Sequence, residues 1–171
     1  MEVSSHGLDQ KRVWGTDFDV GIFTNLTQDP LDYHQTMERY FAAKQLLFHR
    51  HLKEDGAAVI VTESAAGESA WGERLAGTIP GAHVIRCGFA SSNEVRGPEV
   101  AQTVAGFNCV LHLAGKPSPF SSPLTGGYNV CNILTAAGAG LGLGLPAERI
   151  RAGLARVECV AGRLERVRLA D

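Results

Sequence analysis

Apolar segments that close on polar, chargeable groups recur through the first third of this 171-residue chain, and this pattern most restricts what it can fold into. Val20, Ile22 and Phe23 run into Thr24 and Asn25. The opening Met1–Ser5 leads from Val3 into Ser4, Ser5 and His6, and Asp32, Tyr33 and His34 precede a long amphipathic stretch. Strands that end in polar groups and alternate with helices are the pattern of an α/β sheet, whose ligands gather at the strand ends.

Read along the chain, Met1–Ser5 is the end of a strand and Phe18–Asn25 a second strand. Thr36–Leu52 is a helix with Thr36 as N-cap and Gly56 beyond its end. Ala57–Thr62 is strand, Ser64–Leu75 helix and His83–Cys87 strand. Val95–Thr103, Gly106–Ala114 and Ser118–Leu124 read as short antiparallel strands joined by Gly and Pro turns. Asn129–Leu143 is a helix despite its interior glycines, which cost helix stability. Pro146–Val157 is a helix with Pro at its first position, and Arg163–Leu169 a final strand. The expected fold is a mostly parallel sheet with flanking helices and a small antiparallel β layer. Residues 1–160 form one domain, and 161–171 start a linker.

Composition sets limits on function. Sixteen Lys and Arg against eighteen Asp and Glu give a net charge of -2, which excludes the concentrated basic surface of a nucleic-acid binder. The cysteines Cys87, Cys109, Cys131 and Cys159 lie 22, 22 and 28 residues apart, without a C-x-x-C pair. They read as buried free thiols in a reducing compartment rather than zinc ligands or a disulfide framework. Apolar runs fall short of the ~18 residues of a membrane helix. A cytoplasmic monomer is expected.

Lys44 is the residue most in need of a reason. Tyr40, Phe41, Leu47 and Phe48 define one apolar helix face and Lys44 sits in its middle. Its stem can pack while the ammonium reaches water. Alternatively, desolvation lowers its pKa and the neutral amine reacts, for example with carbon dioxide to give a carbamate that serves as an oxygen ligand for magnesium. Glu2, near a strand end, is either an exposed glutamate or a Mg²⁺ ligand. Ser4, Ser5, His6 and Asp9 do not make a hydrolase triad, because sequence neighbours rarely do and no G-x-S-x-G elbow occurs. Arg12 is either a solvated loop charge or an anion fork. Asn129 and Asn132, after Gly126-Gly127, either cap a helix or meet a base edge. Arg163 reaches toward an anion before the last strand.

The runs MEVSSHGLDQKRV, FTNLTQDPLDYH, ERYFAAKQLLF, GGYNVCNILTAA and AGRLE, in this order, resemble the central domain of the Mur ligases. Within that family they are most similar to the members that add the third peptide residue to UDP-N-acetylmuramoyl-L-alanyl-D-glutamate. The resemblance spans nearly the whole chain. It implies an ATP-dependent amide ligase of peptidoglycan synthesis, in which ATP phosphorylates the substrate carboxylate and the amine of diaminopimelate or lysine displaces phosphate. It implies that Glu2 binds Mg²⁺ and that Lys44 is carbamylated and helps hold the metal. It also implies that Ser4, Gln10 and Arg12 bind the UDP-muramoyl-dipeptide and that Asn129 and Arg163 lie at the nucleotide.

The chain departs from the family's pattern in three places. No G-x-x-x-x-G-K-[ST] phosphate loop occurs in it, the C-terminal domain that selects the incoming amino acid is not found, and Pro30 stands where the family commonly has a metal-binding histidine. The expectation is an incomplete piece of such a ligase, inactive alone and poorly soluble because a sheet without its first strands exposes apolar surface. The other reading is a non-catalytic protein that keeps part of a nucleotide-sugar pocket.

Overall fold

A computed structural model describes residues 1–26, 31–64, 67–68, 70–79 and 83–160. The order of elements is α1 (Ser5–Asp9), β1 (Phe18–Phe23), α2 (Leu31–His34), α3 (Met37–Arg50), β2 (Leu52–Val61), β3 (Glu63–Ser64) and β4 (Gly67–Glu68), followed by α4 (Ala70–Ala76), β5 (His83–Gly88) and β6 (Val95–Arg96). Then come β7 (Ala101–Thr103), β8 (Gly106–Leu113), β9 (Lys116–Ser122), α5 (Gly127–Gly142) and α6 (Ala147–Ala155). Pro30, Arg163 and the expected strand Arg163–Leu169 lie outside the described residues.

Seven strands form one mixed sheet in the order β1-β2-β5-β6-β8-β7, with β9 also paired to β8. β1, β2, β5 and β6 run parallel, in registers such as Ile22↔Val59 and Val59↔Ile85. β2 is buried on both faces from Ala57 to Val61, as a central parallel strand must be. Val59 and Val61 face the core shared with Val130, Ile133, Leu134 and Ala137 of α5 and with Ile150 and Leu154 of α6. Ala58 and Ile60 face the second core, with Phe41 and Phe48 of α3 and Leu75 of α4. Helices thus cover both faces of the parallel half.

Several expected boundaries move, each for a local reason. Met1–Ser5 is not a strand end. Ser4 is the N-cap of α1, its Oγ accepting from the Gly7 backbone N–H at 3.0 Å. β2 begins at Leu52, five residues early, because Phe18 pairs with Leu52 and a bulge then brings Val20 opposite Ala57. Gly56 sits at that bulge, where a Cβ would fall 2.9 Å from the Lys53 carbonyl and 3.1 Å from that of Asp19. The expected helix Ser64–Leu75 is reduced to α4. Before it, Glu63 and Ser64 pair with Glu68 and Gly67 in a short hairpin, and the Glu63 carboxylate accepts from the Phe89 and Ala90 N–H groups, both at 2.6 Å. Those two bonds draw the chain toward β5 and away from a helical start.

The antiparallel strands continue the main sheet rather than forming a separate layer. Val95–Thr103 divides into β6 and β7, with Gly97 and Pro98 between them and Glu99 at φ 57. β8 and β9 join through Ala114 and Gly115, both at positive φ, which sets Leu113 opposite Lys116 in the manner of a two-residue hairpin. Pro146 is the N-cap of α6 rather than its first residue. Cys87 and Cys109 are buried as expected, whereas Cys131 is half-buried and Cys159 exposed.

Candidate functional site

α3 positions Lys44. Thr36 caps the helix, accepting from the Arg39 N–H at 3.2 Å. Three turns on, Phe48 packs against Gly21 of β1, with ring carbons about 3 Å from the point a Cβ would occupy there. This close approach holds α3 along the strand, so that Lys44 faces the carboxyl end of β1. The result is a cavity of about 440 Å³ lined by Glu2, Thr24, Asn25, Lys44, Leu47 and Phe48, among others. One side of β1 pairs with β2, and in the described sheet its other edge borders this cavity.

Lys44 is half-buried there. Its stem lies among Leu47 and Phe48, and Nζ stands 5.9 Å from the centroid of the Tyr40 ring. Burial holds its pKa below the ordinary lysine value, and the Glu2 carboxylate pulls in the opposite direction without cancelling the effect. The Lys44 amine is partly desolvated, faces a cavity and has a carboxylate as its electrostatic partner.

The other residues singled out from the sequence divide. Ser4 spends one acceptor on its cap. Gln10 closes α1, its backbone N–H on the His6 and Leu8 carbonyls. Arg12 is exposed, with its backbone N–H on the Gly7 carbonyl. Asn129 lies on α5, which runs antiparallel to β2: Gly142 packs on Ala57 and Gly138 on Val59. The start of α5 therefore stands at the same carboxyl edge of the sheet as Thr24 and Asn25. Asn129 itself is buried, donating from Nδ2 to the Thr125 carbonyl at 2.7 Å and accepting from Asn132 at 3.2 Å. The N-cap position of α5 is Gly126, without a side-chain cap bond, so Asn129 braces the preceding turn rather than capping the helix.

The sequence did not reveal a column of rings between α1 and Lys44. Tyr33 lies 4.0 Å from the His6 ring and 4.8 Å from His34, and His34 stacks at 5.3 Å on Tyr40. His34 is 6% exposed and its Nε2 has no hydrogen-bond partner among the described residues. Burial, helped by the neighbouring His6, lowers its pKa and keeps the ring neutral. Also missed were Glu63, noted above, and the buried pair in which the Thr62 hydroxyl donates to Asn93 at 2.8 Å. The Glu63 and Thr62 contacts join residues 26 to 31 apart, and no periodicity encodes them.

Among the described residues no three His, Cys, Asp or Glu side chains converge to hold a metal, and no helix is long and apolar enough to cross a membrane. Magnesium asks for less than such a cluster: one or two carboxylates, with water and phosphate oxygens completing the shell. Glu2 together with an oxygen anion built on Lys44 fits that requirement, whereas Glu2 beside a free ammonium does not.

A model of the Mur ligase middle domain matches residues 1–140. Over 167 residues the chain is 43% identical to the UDP-N-acetylmuramoyl-L-alanyl-D-glutamate–2,6-diaminopimelate ligase of Geobacter sulfurreducens, covering 98% of this chain and 33% of that protein. Identity to the same-named ligase of Geobacter metallireducens is 45% over 172 residues, covering 98% of this chain and 32% of the relative. A solved structure of a UDP-N-acetylmuramoyl-L-alanyl-D-glutamate–2,6-diaminopimelate ligase superposes with a TM-score of 0.82 at 27% identity, over 99% of this chain and 34% of the other. MurF from Acinetobacter baumannii shares the fold, with a TM-score of 0.77 at 21% identity over 89% of this chain and 32% of that one. The chain spans about a third of the length of the curated relatives it matches.

Proposed function

The chain belongs to the Mur ligase family through its middle domain, and we propose that it carries the metal and muramoyl-peptide half of a ligase that adds diaminopimelate or lysine to UDP-N-acetylmuramoyl-L-alanyl-D-glutamate. The observation that carries this reading is Lys44, partly desolvated beside Glu2 in a cavity at the carboxyl end of β1, in a chain 43% identical to a ligase of that name. The reaction class is ATP-dependent amide formation through an acyl phosphate in the cytoplasm. We place the domain at residues 1–160, with 161–171 starting the linker.

Each residue has a role that follows from its surroundings. A neutral Lys44 amine adds to carbon dioxide: the N–C bond forms, the nitrogen loses a proton and a carbamate anion replaces a potential cation. Glu2 and that carbamate hold Mg²⁺, which when bound offsets negative charge between the substrate carboxylate and the ATP phosphates. Tyr40, Leu47 and Phe48 keep water from the amine. Ser4, Gln10 and Arg12, on and just after α1, bind the UDP-muramoyl-dipeptide, with the Arg12 fork taking its anionic groups. Asn129 orders the first turn of α5 where the adenine nucleotide approaches; Arg163, outside the described residues, is assigned to the nucleotide by the family resemblance alone.

The test supplies ¹³C-bicarbonate to the purified chain and reads the carbamate carbon by NMR, then titrates UDP-N-acetylmuramoyl-L-alanyl-D-glutamate by calorimetry. A carbamate signal that disappears in Lys44→Arg, and binding that weakens in Arg12→Ala, are expected. A chain that shows neither signal refutes the reading.

A further inference from the structure

Tyr33 carries no role in the account above, yet it joins α1 to the ring column that ends at Lys44. Its hydroxyl donates to Asp9 Oδ2 at 2.7 Å, across 24 residues of sequence. The Gln10 side chain and the Arg12 charge both act on the same phenol, in the direction that favours its ionisation. The ring lies 4.0 Å from that of His6, tilted by 44°, and 4.8 Å from that of His34, nearly perpendicular to it. Beyond His34 the column continues through Tyr40 to the Lys44 ammonium.

The turn that Tyr33 meets needs support. Gln10 and Lys11 follow the end of a five-residue helix, and Lys11 adopts φ 57, a left-handed conformation unfavourable for a residue with a Cβ. Its backbone bonds are all local in sequence: Gln10 N–H on the His6 carbonyl, Lys11 N–H on Leu8, Arg12 N–H on Gly7, and the Lys11 carbonyl accepting from Trp14 N–H. α1 itself packs on α3, but none of these backbone bonds leaves residues 6–14, so the side chains of the turn are set by what they meet beyond it.

We propose that Tyr33 is a positioning residue that holds the Gln10–Arg12 turn at a fixed distance from Lys44, through its hydrogen bond to Asp9 and the ring column to Tyr40. The proposal rests on the reading that Gln10 and Arg12 meet the substrate. The anionic end of the substrate on Arg12 and its reacting carboxylate near Lys44 are then set by one strut. A wrong span costs affinity even when every contacting group is present.

The experiment uses Tyr33→Phe, which keeps the ring and removes only the hydroxyl, alongside Asp9→Ala and the double variant. Without ligand, ¹⁵N relaxation of the Gln10 side-chain amide and the Arg12 Nε–H is expected to show increased motion in each variant, while the thermal midpoint stays near wild type. Affinity for UDP-N-acetylmuramoyl-L-alanyl-D-glutamate is expected to fall about fivefold, the scale of one exposed hydrogen bond, with the double variant no weaker than either single one. Gln10 and Arg12 side chains as ordered in Tyr33→Phe as in wild type would overturn the proposal, as would additive losses in the double variant. A wild-type chain that does not bind the dipeptide counts against the functional reading, and the ligand-free relaxation still decides the positioning.

Discussion

Gly138→Ala isolates the contact that seats α5 on the sheet. Alanine is intrinsically better in a helix by about 1 kcal/mol, so helix propensity alone predicts stabilisation. The structure predicts the reverse. A Cβ at Gly138 would stand 2.8 Å from Cys87 Sγ and 2.8 Å from Val59 Cγ1. Neither neighbour can yield cheaply, since Val59 is fully buried in a central strand and Cys87 is 1% exposed with its Sγ directed at the Leu134 carbonyl. Forcing a methyl group into such a core costs ~1–3 kcal/mol. Net destabilisation of about 1 kcal/mol follows, reached by lifting α5, and Asn129 with it, from the sheet. Gly153 on α6 is the internal control. Its Cβ would meet nothing within 4 Å, so Gly153→Ala should stabilise by ~0.5–1 kcal/mol. Urea unfolding followed by circular dichroism compares the three midpoints. A Gly138→Ala midpoint at or above wild type would refute the packing argument, because the two substitutions would then differ in nothing but position.

Lys44→Met should change how stability depends on pH. The buried amine of the folded chain gives up its proton at a lower pH than in the unfolded chain, so the unfolded state binds more protons between the lowered value and the ordinary 10.5. Stability gains from Lys44 as pH rises through that window, and the slope should be smaller in the methionine variant; equal slopes would contradict it. Cysteine labelling under native conditions should modify exposed Cys159 first and spare Cys87, whose thiol burial pushes up to about 12, and mass spectrometry of labelled peptides reads the order. Asp9→Asn should let Tyr33 ionise at lower pH, because its hydrogen bond to the Asp9 carboxylate is the main cause of its raised pKa. Ultraviolet titration measures this, and an unchanged Tyr33 would remove the tether. Glu63→Ala should cost about 1–3 kcal/mol by leaving the Phe89 and Ala90 N–H groups without their shared acceptor, and hydrogen exchange at those two amides should rise with it.

Much of the fold was legible because it is written in local patterns. The 3.6-residue spacing of Tyr40, Phe41, Leu47 and Phe48 placed Lys44 on a buried face, and Thr36 marked the start of α3. The apolar run Ala57–Thr62 marked a strand, which became the C-terminal half of β2. Where the reading failed, a distant partner overrode the local preference. Ser64–Leu75 has helical composition, but two backbone amides of the next loop take the Glu63 carboxylate. Lys53, Glu54 and Asp55 look like a helix end, yet they belong to a strand because Phe18 pairs with Leu52 and Asp19 meets Lys53.

The candidate site divides in the same way. The sequence alone determined which residue types were available: a lysine on an apolar face, a glutamate beside hydroxyls, an arginine in the loop that follows them. These depend on neighbours within a turn or two, where spacing fixes which side chains share a face. Only the tertiary structure decided that Glu2 and Lys44, 42 residues apart in the sequence, line one cavity. It likewise decided that Tyr33 reaches Asp9, and that Asn129 spends its amide on the turn before it. Such pairings are set by how α1, α2 and α3 pack on one end of a parallel sheet, and packing sums many small contacts between segments that carry no common period.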